Sequence, residues 1–178
     1  MKSTRRMLYL AAVGTGLIFC GGAQAEDWKV TGEFGWFAVG KAQEIEKGHS
    51  YWVGEYAGAF FNDKGENTLF HRAGVKCPSW ADIDLNNKKS KGGGYCVIAD
   101  LNGDRAYLTW QGAGTPGPGG RLAGTFQYTG GTGKYQGISG DNTFVGTTQV
   151  NWNDGTSSGY ATWNGRRAKS LVRARRYG

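Results

Sequence analysis

The chain has 178 residues, of which 39% are hydrophobic, 20% charged and 13% aromatic, and 32 positions are glycine. That length accommodates one ordinary domain or two very small ones, and it excludes a large multidomain enzyme. The aromatic content is too high for a disordered chain, and the glycines follow no collagen repeat. The formal net charge is +7, but it belongs to the two ends. Residues 1–25 carry three basic and no acidic side chains, and residues 166–178 carry six basic ones. The body between them holds 12 basic against 14 acidic residues. It therefore offers no basic groove, and nucleic acid is not an expected partner.

Lys2, Arg5 and Arg6 precede an apolar run from Met7 to Cys20, followed by Ala23-Gln24-Ala25. The run is too short to span a bilayer, and the small residues suit a signal-peptidase site. The expectation is a signal peptide over residues 1–25, a mature start at Glu26 and a periplasmic or secreted protein. An uncleaved anchor is the alternative. A lipoprotein reading is weakened by Phe19, because a lipobox needs a small residue before its cysteine. Two cysteines then remain, Cys77 and Cys96. An even pair in an exported chain predicts a disulfide. Together with the distant His49 and His71 they lack the ligand spacing of a zinc site, so neither a metal nor another cofactor is expected.

In chain order, Trp28–Val39 reads as a first strand and Tyr51–Phe61 as a second, with small residues inside it. Asn67–Lys76 follows. Ser79–Asn86 is the one stretch that reads as a turn of helix or a loop, and Lys88–Gly94 reads as a flexible loop. Tyr95–Ala99 and Arg105–Gln111 form a hairpin about Asn102-Gly103, a strong turn signal. Gly112–Gly120 reads as a loop. Arg121–Thr129, Thr143–Asn151 and Ser157–Asn164 complete about eight strands. The connections are too short for helical crossovers, so the sheet is mostly antiparallel. A closed barrel or a sandwich satisfies this, and the glycines inside strands favour the barrel. The domains are a signal peptide, a barrel over residues 26–167 and a basic tail over 168–178 that reads as disordered.

The segment Tyr128–Gly137 is glycine-rich. As a phosphate loop it fails, because Tyr128 stands where the first glycine belongs and Tyr135 where Ser or Thr must follow the lysine. A dinucleotide fingerprint fails on spacing. A tight link between two strands fits better. Asp100, Asn102 and Asp104 begin like a calcium loop, but Gly103 precedes Asp104 and Gln111 occupies the twelfth position, so a hairpin turn is preferred. No Gly-x-Ser-x-Gly elbow is present.

Gly130-Gly131-Thr132-Gly133-Lys134-Tyr135, followed by Gly137-Ile138-Ser139-Gly140, resembles the Gly-Gly-Thr-Gly-Lys-aromatic signature of the allene oxide cyclase/dirigent superfamily, and within it the small secreted bacterial branch. The resemblance implies an antiparallel eight-stranded calycin-like barrel, with Gly130, Gly131, Gly133, Lys134 and Gly137 as a structural motif in a late strand link. It also implies a homo-oligomer. Members of the superfamily cyclise fatty-acid epoxides or guide phenoxy coupling with acidic pocket residues, and none of those residues aligns with this chain. The signature speaks for the scaffold and carries no chemistry.

Three functions follow as expectations. In the first, the lumen binds a small apolar or aromatic molecule without catalysis, through Trp36, Trp52, Tyr56, Trp110 and Tyr128. In the second, the barrel is filled and acts through its surface. In the third, a cofactor-free cyclase or isomerase uses a lumenal carboxylate, with Glu33 and Glu55 as candidates, because a carboxyl among aromatics has a raised pKa. Each glutamate has an alternative place on the outer face, and alternation leaves this open because both faces carry aromatics. His71 reads as a partly exposed strand residue. The basic tail is a candidate contact for an anionic surface.

Overall fold

The computed structural model describes residues 26–66, 68–165 and 167–170. The expected signal peptide and the tail beyond Ser170 lie outside the described residues.

Eight strands close into an antiparallel barrel in sequence order. They are β2 (Gly32–Glu46), β3 (His49–Asn62), β4 (Ala73–Asp84), β5 (Lys89–Ala99), β6 (Arg105–Gly114), β7 (Arg121–Gly131), β8 (Asp141–Asn151) and β9 (Ser157–Asn164). The barrel closes where β9 pairs with β2, from Gly32↔Trp163 to Ala38↔Ser157. Two short strands, β1 (Glu26–Lys29) and β10 (Arg167–Ser170), pair with each other outside it. Closure pairs the strands on both sides over most of their length, and single-sided stretches remain at strand ends, the longest where β2 runs on beyond Ala38 with only β3 beside it.

The strand period decides which side chains enter the barrel. Phe34, Trp36 and Ala38 on β2 stand opposite Phe60, Gly58 and Tyr56 on β3. Phe34, Ala38 and Phe60 are buried, whereas Glu33, Phe37 and Val39 are exposed. Even-numbered residues of β2 and β3 therefore face inward.

Four sequence readings are corrected. The first expected strand is two, because the chain leaves β1 at Val30 and turns into the barrel at Gly32. Residues 68–72 belong to a loop, and β4 starts only at Ala73. Ser79–Asp84 is strand rather than helix, its aspartates Asp82 and Asp84 alternating with inward Ala81 and Ile83. Lys89–Gly94 is strand rather than loop. A Cβ on Gly92 would lie 3.5 Å from the Trp110 ring, and one on Gly93 would lie 3.4 Å from Trp80. The tighter approaches are to backbone: 2.8 Å to the Trp80 carbonyl from Gly92, 3.0 Å to the Trp110 carbonyl from Gly93 and closer still to the Pro78 carbonyl from Gly94, so the glycine run is where the neighbouring strands come too close for a side chain. Residues 168–170 of the expected tail pair with β1 as part of β10.

One end of the barrel is packed shut. Val30, Phe70 and Tyr135 are at most 1% exposed there, with Leu69 and Ile138 beside them. Phe70 stacks on Tyr135 at 4.9 Å and on Tyr128 at 5.8 Å. Phe70 and Arg72 hold φ of 65° and 58°, a strained loop that its buried aromatic contacts keep in place. The glycine-lysine link lies at this end, between β7 and β8, as a single 3-10 turn, Gly133–Tyr135. Lys134 reaches Asp100 Oδ2 at 2.5 Å, and its N–H donates to Asp104 Oδ2 at 3.1 Å. Arg105 N–H donates to Thr132 Oγ1 at 3.0 Å. The Asp100–Asp104 turn is thus a latch for the link: Asp100 Oδ1 also accepts the N–H groups of Asn102 and Asp104. Burial opposes charge on Asp100, yet Lys134 and these N–H groups hold its carboxyl below the usual carboxylate range.

Candidate ligand-binding lumen

The other end is open. The β4–β5, β6–β7 and β8–β9 connections, with Ala42 of β2 and Trp52 of β3, surround a cavity of about 460 Å³ that enters the barrel between them. That is within the range of small-molecule sites.

Its floor is built by three rings. Phe60 and Phe126 lie 4.3 and 4.6 Å from Trp163, and Phe126 and Trp163 face the space above. The wall is an aromatic chain: Trp36 to Tyr56 at 5.1 Å, Tyr56 to Trp110 at 6.0 Å and Trp110 to Phe144 at 5.8 Å. Three of these contacts are edge-to-face, the arrangement the ring quadrupoles favour. Trp52 continues the wall toward the mouth, 5.3 Å from Tyr56. Gly146 opens space among them, since an added Cβ there would meet only the Leu122 carbonyl at 3.8 Å. Burial pushes the Tyr56 hydroxyl up to about 12, so it faces the lumen as a neutral group. Trp110 Nε1 is buried without a protein hydrogen-bond partner.

Of the sequence candidates, Trp36, Trp52, Tyr56 and Trp110 line the cavity together. Tyr128 does not. It is buried beneath the floor, 5.6 Å from Phe126. Glu33 and Glu55 are placed on the outer wall. Glu33 is exposed beside Phe61 of β3, and Glu55 pairs with Lys76 at 3.3 Å. The lumenal position entertained for both is corrected by the inward register of Phe34, Tyr56 and Phe60. His71 is a partly exposed residue whose Nδ1 lies 3.2 Å from the Asn62 carbonyl. Phe34, Leu122, Phe126 and Phe144 are lining residues that the sequence reading did not single out. Alternation along Leu122-Gly124-Phe126 and Phe144-Gly146-Thr148 was the signal available for them.

Cys77 and Cys96 form a disulfide between β4 and β5, and both face the lumen. Such a bond persists in oxidising compartments. Among the described residues no cluster of three or more His, Cys, Asp or Glu could hold a metal ion. No protein-family model and no curated protein matches the sequence.

Proposed function

We propose that this is an exported protein, periplasmic or secreted, that binds a small apolar or aromatic molecule in its barrel lumen without catalysis. The observation that carries the reading is the open cavity of about 460 Å³ walled by Trp36, Tyr56, Trp110, Phe126, Phe144 and Trp163. A barrel that needed only stability would fill both halves, because unfilled apolar volume is costly. Here the closed end is packed and the open end is not. A carboxylate-driven cyclase has less support, since none of the residues lining the cavity is acidic. Membership of the allene oxide cyclase/dirigent superfamily remains part of the proposal, supported by the position of the Gly-Gly-Thr-Gly-Lys-Tyr link in an eight-stranded closed barrel.

The test is native mass spectrometry of protein purified from its own exported fraction, before and after solvent extraction. The expected result is a removable mass of a few hundred daltons. Gly146→Phe supplies the control. Its ring enters open space without a backbone clash, so the variant folds and loses the adduct. A bare polypeptide in the wild type, with no small apolar probe bound on addition, overturns the reading. Equal binding by Gly146→Phe moves the site out of the lumen.

A further inference from the structure

The lumen wall carries no charge. Among the described residues that line it there is no Asp, Glu, Lys, Arg or His. On the outer face of the strands at this end, several charged groups pair with one another. Asp82 receives Lys91 at 3.3 Å and His49 Nε2 at 2.6 Å, and His49 Nδ1 faces Glu46 at 3.3 Å. Of the polar groups of the cavity, the Tyr56 hydroxyl and the unpartnered Trp110 Nε1 belong to the buried aromatic wall and are neutral. Phe126, Trp163 and Phe34 make the deep layer, whereas Ser90, Thr148 and Asn151 stand at strand ends beside the open turns. An ion drawn into the deep layer would lose its water and meet no counter-charge, which is strongly unfavourable.

We infer that the lumen selects uncharged, ring-bearing molecules and rejects anions of the same shape, holding the ligand with its apolar rings on the aromatic floor and any hydroxyl or carbonyl end at the mouth. This deepens the lumen-binding reading and rests on it. The selectivity follows from the wall alone, because the aromatic layer accepts any flat ring while the missing cation removes the reward for a carboxylate, sulfate or phosphate. A neutral hydroxyl or carbonyl costs far less to bring to the mouth, where Ser90, Thr148 and Asn151 supply partners.

The experiment uses two fluorescent probes with one skeleton. N-phenyl-1-naphthylamine is neutral. 1-Anilinonaphthalene-8-sulfonate adds a sulfonate in the middle of the skeleton, where it cannot stay in water while both ring systems are buried. Each is titrated into the mature, disulfide-bonded protein, following probe emission and tryptophan quenching. The neutral probe binds, and the sulfonate binds roughly 30-fold or more weakly, a difference of about 2 kcal/mol at 1.4 kcal/mol per tenfold. Thr148→Lys places an ammonium on the upper wall, from where it can also reach solvent, so folding is not at risk. It raises sulfonate affinity about tenfold, with little change for the neutral probe. Sulfonate binding within threefold of the neutral probe overturns the charge selectivity and leaves the lumen site standing. Tighter binding of a naphthyl-trimethylammonium than of the neutral probe overturns it in favour of a cation on the aromatic faces. Failure of all three probes, or binding unchanged in Gly146→Phe, overturns the lumen reading and this inference with it.

Discussion

The disulfide offers the sharpest test of how the barrel wall is held. Cys77 and Cys96 lie side by side on β4 and β5, 4.1 Å apart at Cα, and are 2% and 6% exposed. Pro78 follows Cys77 inside β4 and has no N–H to donate. The register resumes only at Ser79↔Gly94 on one side and Lys76↔Val97 on the other. The sulfur bridge therefore spans a gap in the ladder. The bonded residues are 19 apart in sequence, and constraining a loop of that size removes unfolded-state entropy equivalent to about 3 kcal/mol. For a domain of this size, each kcal/mol shifts the melting temperature by about 3–4 °C, so Cys77→Ala/Cys96→Ala melts about 10 °C lower. Calorimetry and circular dichroism on the wild type and the double variant, with and without reductant, measure this. Reductant lowers the wild type and leaves the variant unchanged. Below its melting point the variant still binds the neutral naphthylamine, because paired residues on both sides keep the wall in register. A loss under about 3 °C would show that the ladder alone holds this wall and would refute the reasoning.

Gly133 holds φ of 54°, and an added Cβ would collide with the Asp104 carboxylate. Gly133→Ala therefore costs about 1–3 kcal/mol in urea unfolding, whereas Gly146→Ala, with open space and ordinary φ, changes little. His49 has a pKa raised above 6.5 by its hydrogen bonds to Asp82 and Glu46, and Asp82 has one lowered below 3.8 chiefly by His49. The contact thus stabilises fully below pH 6.5, weakens as pH rises through the higher folded value of His49, and is lost in acid as Asp82 protonates. Nuclear magnetic resonance titration finds His49 above 6.5, and Asp82→Asn moves it back down. Burial raises the pKa values of Tyr56, Tyr128 and Tyr135. Stability associated with these hydroxyls is present below pH 10 and declines as pH rises beyond it. Ultraviolet titration should find them ionising only with alkaline unfolding, and ionisation of all tyrosines near pH 10 in the folded protein contradicts their burial.

Most strands were legible because aromatic and β-branched runs are interrupted by glycine and turn residues, and antiparallel connection followed from short links. The misread segments share a cause. Asp82, Asp84 and the run Gly92–Gly94 look like turn or loop composition, yet a barrel strand tolerates polar residues on its outer face and glycines wherever a neighbouring strand's backbone comes close. The carbonyls of Pro78, Trp80 and Trp110 that crowd these glycines come from neighbouring strands, so no local pattern discloses them. The glutamates were ambiguous for a related reason. Phe37 and Phe61 are exposed on the same face as Glu33, and Phe34 and Phe60 are buried on the other, so local composition does not tell inside from outside. Only the cross-strand register does. Trp36, Trp52, Tyr56 and Trp110 share the lumen wall because a ring that points inward on a barrel strand has the lumen before it. Tyr128 faces inward too but lies among the packed residues rather than on the cavity, because depth along the barrel axis, unlike facing, is invisible without the loops that close one end.

That difference in depth also explains why the most recognisable segment says nothing about the ligand. The Gly-Gly-Thr-Gly-Lys-Tyr link serves the closed end. Gly133 allows the turn, Lys134 meets Asp100, and Tyr135 stacks on Phe70. Each role ties the link to residues about 30 or more positions upstream, and none places an atom in the open cavity. The cavity is instead assembled from single inward residues of all eight strands, and positions of that kind share no contiguous motif. A short signature can therefore persist wherever the closed end must be locked, while Leu122, Phe144, Gly146 and Thr148 change the size and polarity of the open end independently. On this reasoning a substitution at the link costs stability without altering probe selectivity, and Thr148→Lys alters selectivity with little effect on the melting temperature. Coupling between the two ends, with Gly133→Ala changing the ratio of neutral to sulfonate affinity in protein that is still folded, would contradict this division.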